Sequence, residues 1–199
     1  MAANTYLAPE ERAALESARV GIAGAGGLSS NCAMHLVRAG VKRLTIADFD
    51  VVNESNLNRQ FFFRDQLGTK KVEALRTNLL RIEPDADIRI ADTRLDASST
   101  KELFADCAIV VEAFDVVEAK AMLLAALAGS GKKLVTASGL AGWGRSNAIR
   151  LRVMGSSVIA VGDGETSVGK GVAPVSPRVG IAAAMQANAV VSLLLGKEP

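Results

Sequence analysis

The feature that most constrains this chain is a glycine turn between an apolar run and a helical pattern. Residues 20–23 are short and apolar, Gly24, Gly26 and Gly27 follow, and 31–39 then place Cys32, Leu36 and Ala39 on one helical face. Glycine lets the backbone turn sharply and approach a ligand closely. A glycine turn from strand to helix also aims free backbone N–H groups and the positive helix end at a phosphate. Residues 44–47 read as a second buried strand with Asp48 at its carboxyl end, where a nucleotide-binding βαβ unit places an acid for ribose hydroxyls.

Asp48-Phe-Asp50 then runs into a dense polar cluster: Asn53, Glu54, Ser55, Asn56, Asn58, Arg59 and Gln60. A dinucleotide dehydrogenase needs nothing particular after its ribose acid. A triphosphate does: Arg59 neutralises phosphate charge, and amides donate to its oxygens. The plainer alternative is a solvated loop of turn formers.

Three stretches together, Gly24-Ala-Gly-Gly-Leu-Ser-Ser-Asn31, Asp48-Phe-Asp-Val-Val-Asn-Glu-Ser-Asn-Leu-Asn-Arg-Gln60 and Gly68-Thr-Lys-Lys-Val72, resemble the ubiquitin-activating-enzyme superfamily. Within it the chain is similar to the short bacterial ThiF-type sulfur-carrier adenylyltransferases of thiamine biosynthesis, related to MoeB and HesA. Val111-Glu-Ala-Phe-Asp115, Ala137-Ser-Gly-Leu-Ala-Gly142 and Gly162-Asp-Gly164 extend the likeness, which runs from about Arg19 to the C-terminus. Ser29 departs from the family, which usually has glycine there.

A chain of 199 residues, nearly half apolar, is expected to form one domain spanning 1–199. A net charge of +2 and few aromatics argue against nucleic acid or an anionic membrane as partner. The two cysteines, Cys32 and Cys107, are far apart and lie inside apolar patterns, which makes neither a disulfide framework nor a zinc site. A cytoplasmic location fits them, and 6–19 has no signal-peptide centre. The long apolar stretch 179–195 carries Gln186 and Asn188, so it reads as a buried or interface helix rather than a membrane span.

The remaining pattern alternates. Helices are expected over 7–17, 69–82, 98–104 and 118–128, and strands over 88–91, 108–113 and 134–137. Pro84 stops the second helix, and Gly129 and Gly131 stop the fourth. This predicts a Rossmann-like, doubly wound α/β fold with a mostly parallel sheet. Residues 148–153 and 158–161 read as an antiparallel C-terminal strand pair. A glycine-rich stretch, 162–174, reads as mobile. A final Ala-rich helix follows, with Ser176 as N-cap and Pro177 in its first turn. Phe61-Phe-Phe63 is an apolar knob for core or interface. His35 reads as structural, and as the single histidine it gives a hydrolytic triad nothing to build on. Trp143 reads as a lid, a carrier-tail contact or a packing anchor.

The resemblance implies ATP- and Mg²⁺-dependent adenylation of the C-terminal glycine carboxylate of a small ubiquitin-like sulfur carrier ending in Gly-Gly. Gly24, Gly26, Gly27, Asp48, Asp50, Asn56, Asn58, Arg59, Gln60 and Lys71 would hold the nucleotide. Arg59, Lys71 and Asp115 would be catalytic, and Asp115 would carry the metal. Lys71 is chosen over Lys70 because the family's lysine stands three residues after the glycine. No Cys-x-x-Cys zinc pair and no cysteine in 163–177 are present, so no zinc and no covalent carrier intermediate are expected, and a separate sulfurtransferase would supply sulfur. The family also implies a homodimer, for which the Ala-rich helix offers a packing surface. Longer relatives lend an N-terminal arginine across subunits; Arg12 is only a weak substitute. Other readings of the residues are an NAD(P)-dependent oxidoreductase, a non-catalytic carrier-binding scaffold of the same fold, and activation of a carboxylate or amide on RNA or a peptide.

Overall fold

The alternation of short apolar runs and amphipathic segments becomes a seven-stranded sheet with helices on both faces. The structure is a computed structural model that describes residues 6–169 and 172–199. In chain order the elements are α1 (Pro9–Ser17), β1 (Arg19–Ala23), α2 (Gly27–Ala39), β2 (Arg43–Asp48), α3 (Lys71–Leu80), β3 (Asp87–Asp92), α4 (Ala97–Leu103) and β4 (Ile109–Glu112). Then come α5 (Val117–Leu127), β5 (Lys133–Ala137), β6 (Arg150–Met154), β7 (Val158–Gly162) and α6 (Ser176–Leu194).

The sheet order is β3-β2-β1-β4-β5-β7-β6. All neighbours are parallel except β6 and β7, which pair antiparallel as expected. The chain winds outward from β1 through β2 and β3, then crosses back to β4 on the other side. That reversal opens a crevice at the carboxyl ends of β1 and β4, where doubly wound sheets bind ligands.

Successive strand residues face opposite sides, so each strand feeds two cores. Val20, Ile22, Leu44, Ile46, Ile109 and Val111 pack with α2, α3 and α6. Ala23, Ala47, Val110 and Leu134 pack with Phe104 and with Leu123 and Leu127 of α5. Phe62 is buried, Phe61 packs against the first core and Phe63 is exposed, so the apolar knob is mostly core.

Three boundaries differ from expectation. The first helix after the glycine turn starts at Gly27 instead of residue 31, because Gly26 itself is its cap. The helix expected over 69–82 is shorter, since 68–71 pairs first with the strand-like segment after Asp50 through Val52 N–H to Thr69 O (2.9 Å) and Lys71 N–H to Asp50 O (2.9 Å). Ser176 is not the N-cap of α6. Val175 holds that position with no side-chain cap, and Pro177 lies within the first two helical residues.

Helix α6 lies along α2. Its Ala182, Ala183, Ala187 and Ala189 are buried within this chain, so the small residues serve close packing inside the fold. They no longer argue for an interface between copies. Within the stretch 162–174 that reads as mobile, Lys170 and Gly171 lie outside the described residues, and Asp163 is held in a buried ion pair with Arg178. Among the described residues no helix is long and apolar enough to cross a membrane.

Candidate active site

The crevice begins where β1 ends. Gly24 takes φ +102°, a region where L side chains are strained, and donates its N–H to Ala47 O at 2.7 Å. The next amide, Ala25 N–H, donates to Asp48 Oδ2 at 2.6 Å, and Asp50 N–H donates to Asp48 Oδ1 at 2.8 Å. Asp48 therefore ties the glycine turn to the end of β2. Each of its oxygens keeps a second lone pair for a ribose hydroxyl. Gly26 caps α2 without a side chain, so the first-turn N–H groups have neither intrahelical partner nor side-chain acceptor from the cap. That is an anion site by construction.

Gly27 stands in a crowded place. A Cβ there would stand 3.1 Å from Val179 Cγ1 and 3.4 Å from Arg59 Cγ. The aliphatic stem of Arg59 thus lies over the helix start. Its guanidinium is oriented by Ser55 O (2.9 Å) and Asn58 Oδ1 (2.8 Å). Asn58, expected to hold the nucleotide, supports the arginine here. Asn56 is used locally: its Oδ1 accepts from Asn53 N–H at 3.0 Å. Gln60 is buried beside Gly26, and its Oε1 has no partner among the described residues. Ser29 Oγ, buried near Gly24, is likewise unsatisfied. Buried orphans cost stability unless something pairs with them.

Lys71 begins α3, its side chain only 8% exposed, with Nζ 2.7 Å from Asp50 Oδ2. Lys70 points away to Asp92 at 3.2 Å, so the geometry separates the two lysines. Asp50, expected at the nucleotide, is the counter-ion of Lys71 here. Asp115 is exposed, three residues beyond β4. The preceding loop is anchored beside the glycine turn: Ala113 N–H donates to Ala23 O at 3.2 Å, and Ala113 O lies 3.4 Å from a Cβ placed on Gly24.

The residues present fit a nucleoside triphosphate: a glycine cradle, a ribose acid, two oriented cations and unsatisfied buried polar atoms around one crevice. Among the described residues no three His, Cys, Asp or Glu side chains converge as a metal site. A divalent cation would lean on one or two carboxylates, Asp115 first, and on phosphate oxygens, which is the habit of magnesium.

Four contributors escape sequence reasoning. Asn31 donates to Gly27 O (2.6 Å) and Arg59 O (2.9 Å), joining helix start to polar loop. Ser30 Oγ accepts Phe61 N–H at 3.0 Å. Glu112, fully buried at the end of β4, pairs with Lys120 at 2.6 Å. Asp163 and Arg178 form the buried pair already noted, and Arg178 also donates to Gly144 O at 2.9 Å. Ser30, Asn31, Glu112 and Asp163 stand in stretches that carry the family likeness, but nothing local in the sequence says which partner each one meets.

The thiols are as inert as their surroundings suggest. Burial pushes Cys32 up to about 12, and burial with the neighbouring Asp106 charge pushes Cys107 up to about 11. His35 is pushed down from its ordinary range by partial burial and by the Arg38 charge. Trp143 is exposed at 70%, which excludes the packing-anchor reading.

Comparison with known proteins agrees with the fold. The chain is 39% identical to the molybdopterin-synthase adenylyltransferase of Salmonella typhimurium over 115 residues, 57% of this chain and 46% of that protein. It is 30% identical to the Escherichia coli protein of the same name over 195 residues, 92% of this chain and 75% of that one. It thus spans less than half the length of the first of these relatives. A crystal structure of E. coli tRNA N6-threonylcarbamoyladenosine dehydratase with AMP shares the fold, with a TM-score of 0.86 at 21% identity over 94% of this chain and 90% of that one. The description of the ThiF family matches residues 2–199, and the chain belongs to that family.

Proposed function

We propose that this chain is an adenylyltransferase that uses ATP and Mg²⁺ to activate the C-terminal glycine carboxylate of a small ubiquitin-like sulfur carrier, releasing pyrophosphate. The observation that carries the reading is the convergence of the Gly24–Gly27 turn, Asp48, Arg59 and Lys71 on one crevice at the switch point of the sheet. The names of the two curated relatives, molybdopterin-synthase adenylyltransferases, support adenylyl transfer to a protein of sulfur-cofactor synthesis. Thiamine or a related sulfur-containing cofactor is the destination we assign.

The chemistry asks little covalent work of side chains, so positioning and charge dominate. Asp48 accepts from the ribose hydroxyls. The start of α2 receives phosphate oxygens. Arg59 and Lys71 neutralise the charge that moves onto the departing pyrophosphate. Asp115 would hold magnesium, which when bound would supply charge neutralisation to the triphosphate. Buried, protonated Cys32 and Cys107 support transfer without an enzyme thioester, and hence a separate sulfurtransferase. The homodimer rests on family membership, and the cytoplasm on the reduced cysteines.

The deciding measurement is carrier-dependent ATP–pyrophosphate exchange, with a carrier ending in Gly-Gly and a tail-truncated control. Exchange that requires the intact tail supports the proposal. ATP binding with no exchange against any carrier would sink it and turn attention to an RNA or peptide acceptor or to a scaffold. Thermal stabilisation by NAD(H) alone would point to an oxidoreductase.

A further inference from the structure

We propose that Glu112, Lys120 and Thr136 form a positioning unit that sets the Asp115 loop and thereby the site's affinity for a divalent cation. This rests on the reading of Asp115 as the metal carboxylate.

Glu112 is the last residue of β4 and is fully buried. Its two oxygens do different work. Oε1 accepts the Phe114 N–H at 2.7 Å, folding the carboxylate back onto the loop that leads to Asp115. Oε2 receives Lys120 Nζ at 2.6 Å and the Thr136 hydroxyl. Lys120 also donates to Ala137 O at 2.9 Å, so one ammonium joins the carboxyl ends of β4 and β5.

From the opposite face of the sheet, Gln186 of α6 donates to Glu112 O (3.2 Å) and Val135 O (3.4 Å). The strand end is therefore gripped from both sides. Asp115 lies between the two attachments, one residue after the held Phe114 amide and five before Lys120. Helix α5 has no side-chain cap at Val116, and Lys120 bonding to Glu112 ties the start of the helix to the end of β4.

Stability alone does not call for this arrangement. A buried ion pair costs desolvation that apolar residues of similar size avoid, and replacing both partners is often neutral or stabilising. What the pair supplies is orientation. An exposed carboxylate on a loop binds a cation weakly unless the loop is held, and outer partners of metal-binding carboxylates act in this way.

The test is calorimetric titration of the full chain with ATP, in EDTA and in Mg²⁺, so that the reading is the Mg²⁺-dependent gain in affinity. Asp115→Asn should remove that gain. Glu112→Gln and Lys120→Met should each reduce it roughly tenfold. Affinity in EDTA should fall by less than the Mg²⁺ gain does, since neither side chain bonds to the glycine turn itself although the loop after Glu112 abuts it. Lys120→Arg, which keeps a cation and a donor, should restore most of the gain. Thr136→Val removes one hydrogen bond from Oε2 at nearly constant shape, and gives a milder loss should Glu112→Gln fail to fold. A lower melting temperature in Glu112→Gln and Thr136→Val with the full Mg²⁺ gain would overturn the inference and leave the unit a fold support. Magnesium insensitivity of the unsubstituted chain would overturn the assignment of Asp115 and this inference with it. Carrier-dependent exchange decides the proposed activity separately.

Discussion

Asp163→Asn removes one charge from the most deeply buried ion pair among the described residues. Arg178 and Asp163 side chains are 2% and 3% exposed, with Nη2 2.6 Å from Oδ2. Burial alone would raise the Asp163 carboxyl. It is outweighed by the Thr166 and Glu165 N–H groups, the Thr166 hydroxyl and the Arg178 charge, so the group is held below its ordinary 3.8, at about 2. A shift of that size corresponds to about 2 kcal/mol of folding stability. The folded value is depressed, so this stability is fully present above the unfolded value and is lost as pH falls through about 4 towards 2. Asparagine also leaves the Arg178 guanidinium buried without its anion, which brings the expected cost at pH 7 to about 3–5 kcal/mol. Urea unfolding followed by circular dichroism measures this directly. Trp143, the single tryptophan, adds a local reporter, because Arg178 holds the carbonyls of Gly144 and Arg145 beside it. In the unsubstituted chain both probes should report one transition. In Asp163→Asn the fluorescence change should come at lower urea. The double substitution Asp163→Asn with Arg178→Met should recover part of the loss, since the stranded charge is gone. A cost under about 1 kcal/mol, with unchanged acid sensitivity, would refute the reasoning, because it would place the pair among solvent-screened ones.

The remaining predictions concern the crevice. Arg59→Ala, Lys71→Ala and Asp115→Ala should each keep the fold, judged by circular dichroism, and lower carrier-dependent exchange by roughly a hundredfold or more; full activity in all three would remove the assigned roles. Gly27→Ala should weaken ATP binding and cost about 1–3 kcal/mol, since its methyl would press on Val179 and the stem of Arg59; an unchanged melting temperature and affinity would contradict that crowding. Asp50→Asn should cost about 1–3 kcal/mol, because Asp50 is half exposed but its loss leaves the nearly buried Lys71 ammonium without an anion, and should alter exchange through the freed Lys71; an unchanged melting temperature would mean that solvent screens the pair. Both cysteines should resist a thiol reagent at pH 8 in the folded protein and react fully in denaturant, as thiols raised to about 12 and 11 dictate; fast labelling of either would reopen a covalent route.

The order of strands and helices was legible because period and punctuation coincide: apolar runs of strand length are separated by amphipathic stretches and glycine or proline stops. Asp48, Arg59 and Lys71 were legible for a different reason, since each stands at a fixed offset from a strand end or a glycine. What failed were terms set by other parts of the chain. The helix at Lys71 starts late because 68–71 first pairs with the segment after Asp50, a contact that local propensity does not encode. The alanines of α6 invite a partner helix, and periodicity cannot say that the partner is α2 of the same chain. Asp50 looked like a ligand for the nucleotide, and only the fold shows that it meets Lys71.

Helix α6 explains why so much of the site lay beyond local reading. Its first turn touches the glycine loop through Val179, its Arg178 reaches the Trp143 loop and Asp163, and its Gln186 grips the end of β4 that precedes Asp115. The glycine turn, the Trp143 loop and the strand end that precedes Asp115 are thus all referenced to one helix. In sequence, those contacts lie roughly 150 residues from the glycine turn and 65–75 from β4. A single arginine, valine and glutamine on an apolar helix carry no local signature of that role. The division follows from the physics of the reaction: when catalysis is mostly placement, the residues that place are spread through the core, while those that touch the ligand crowd into short motifs.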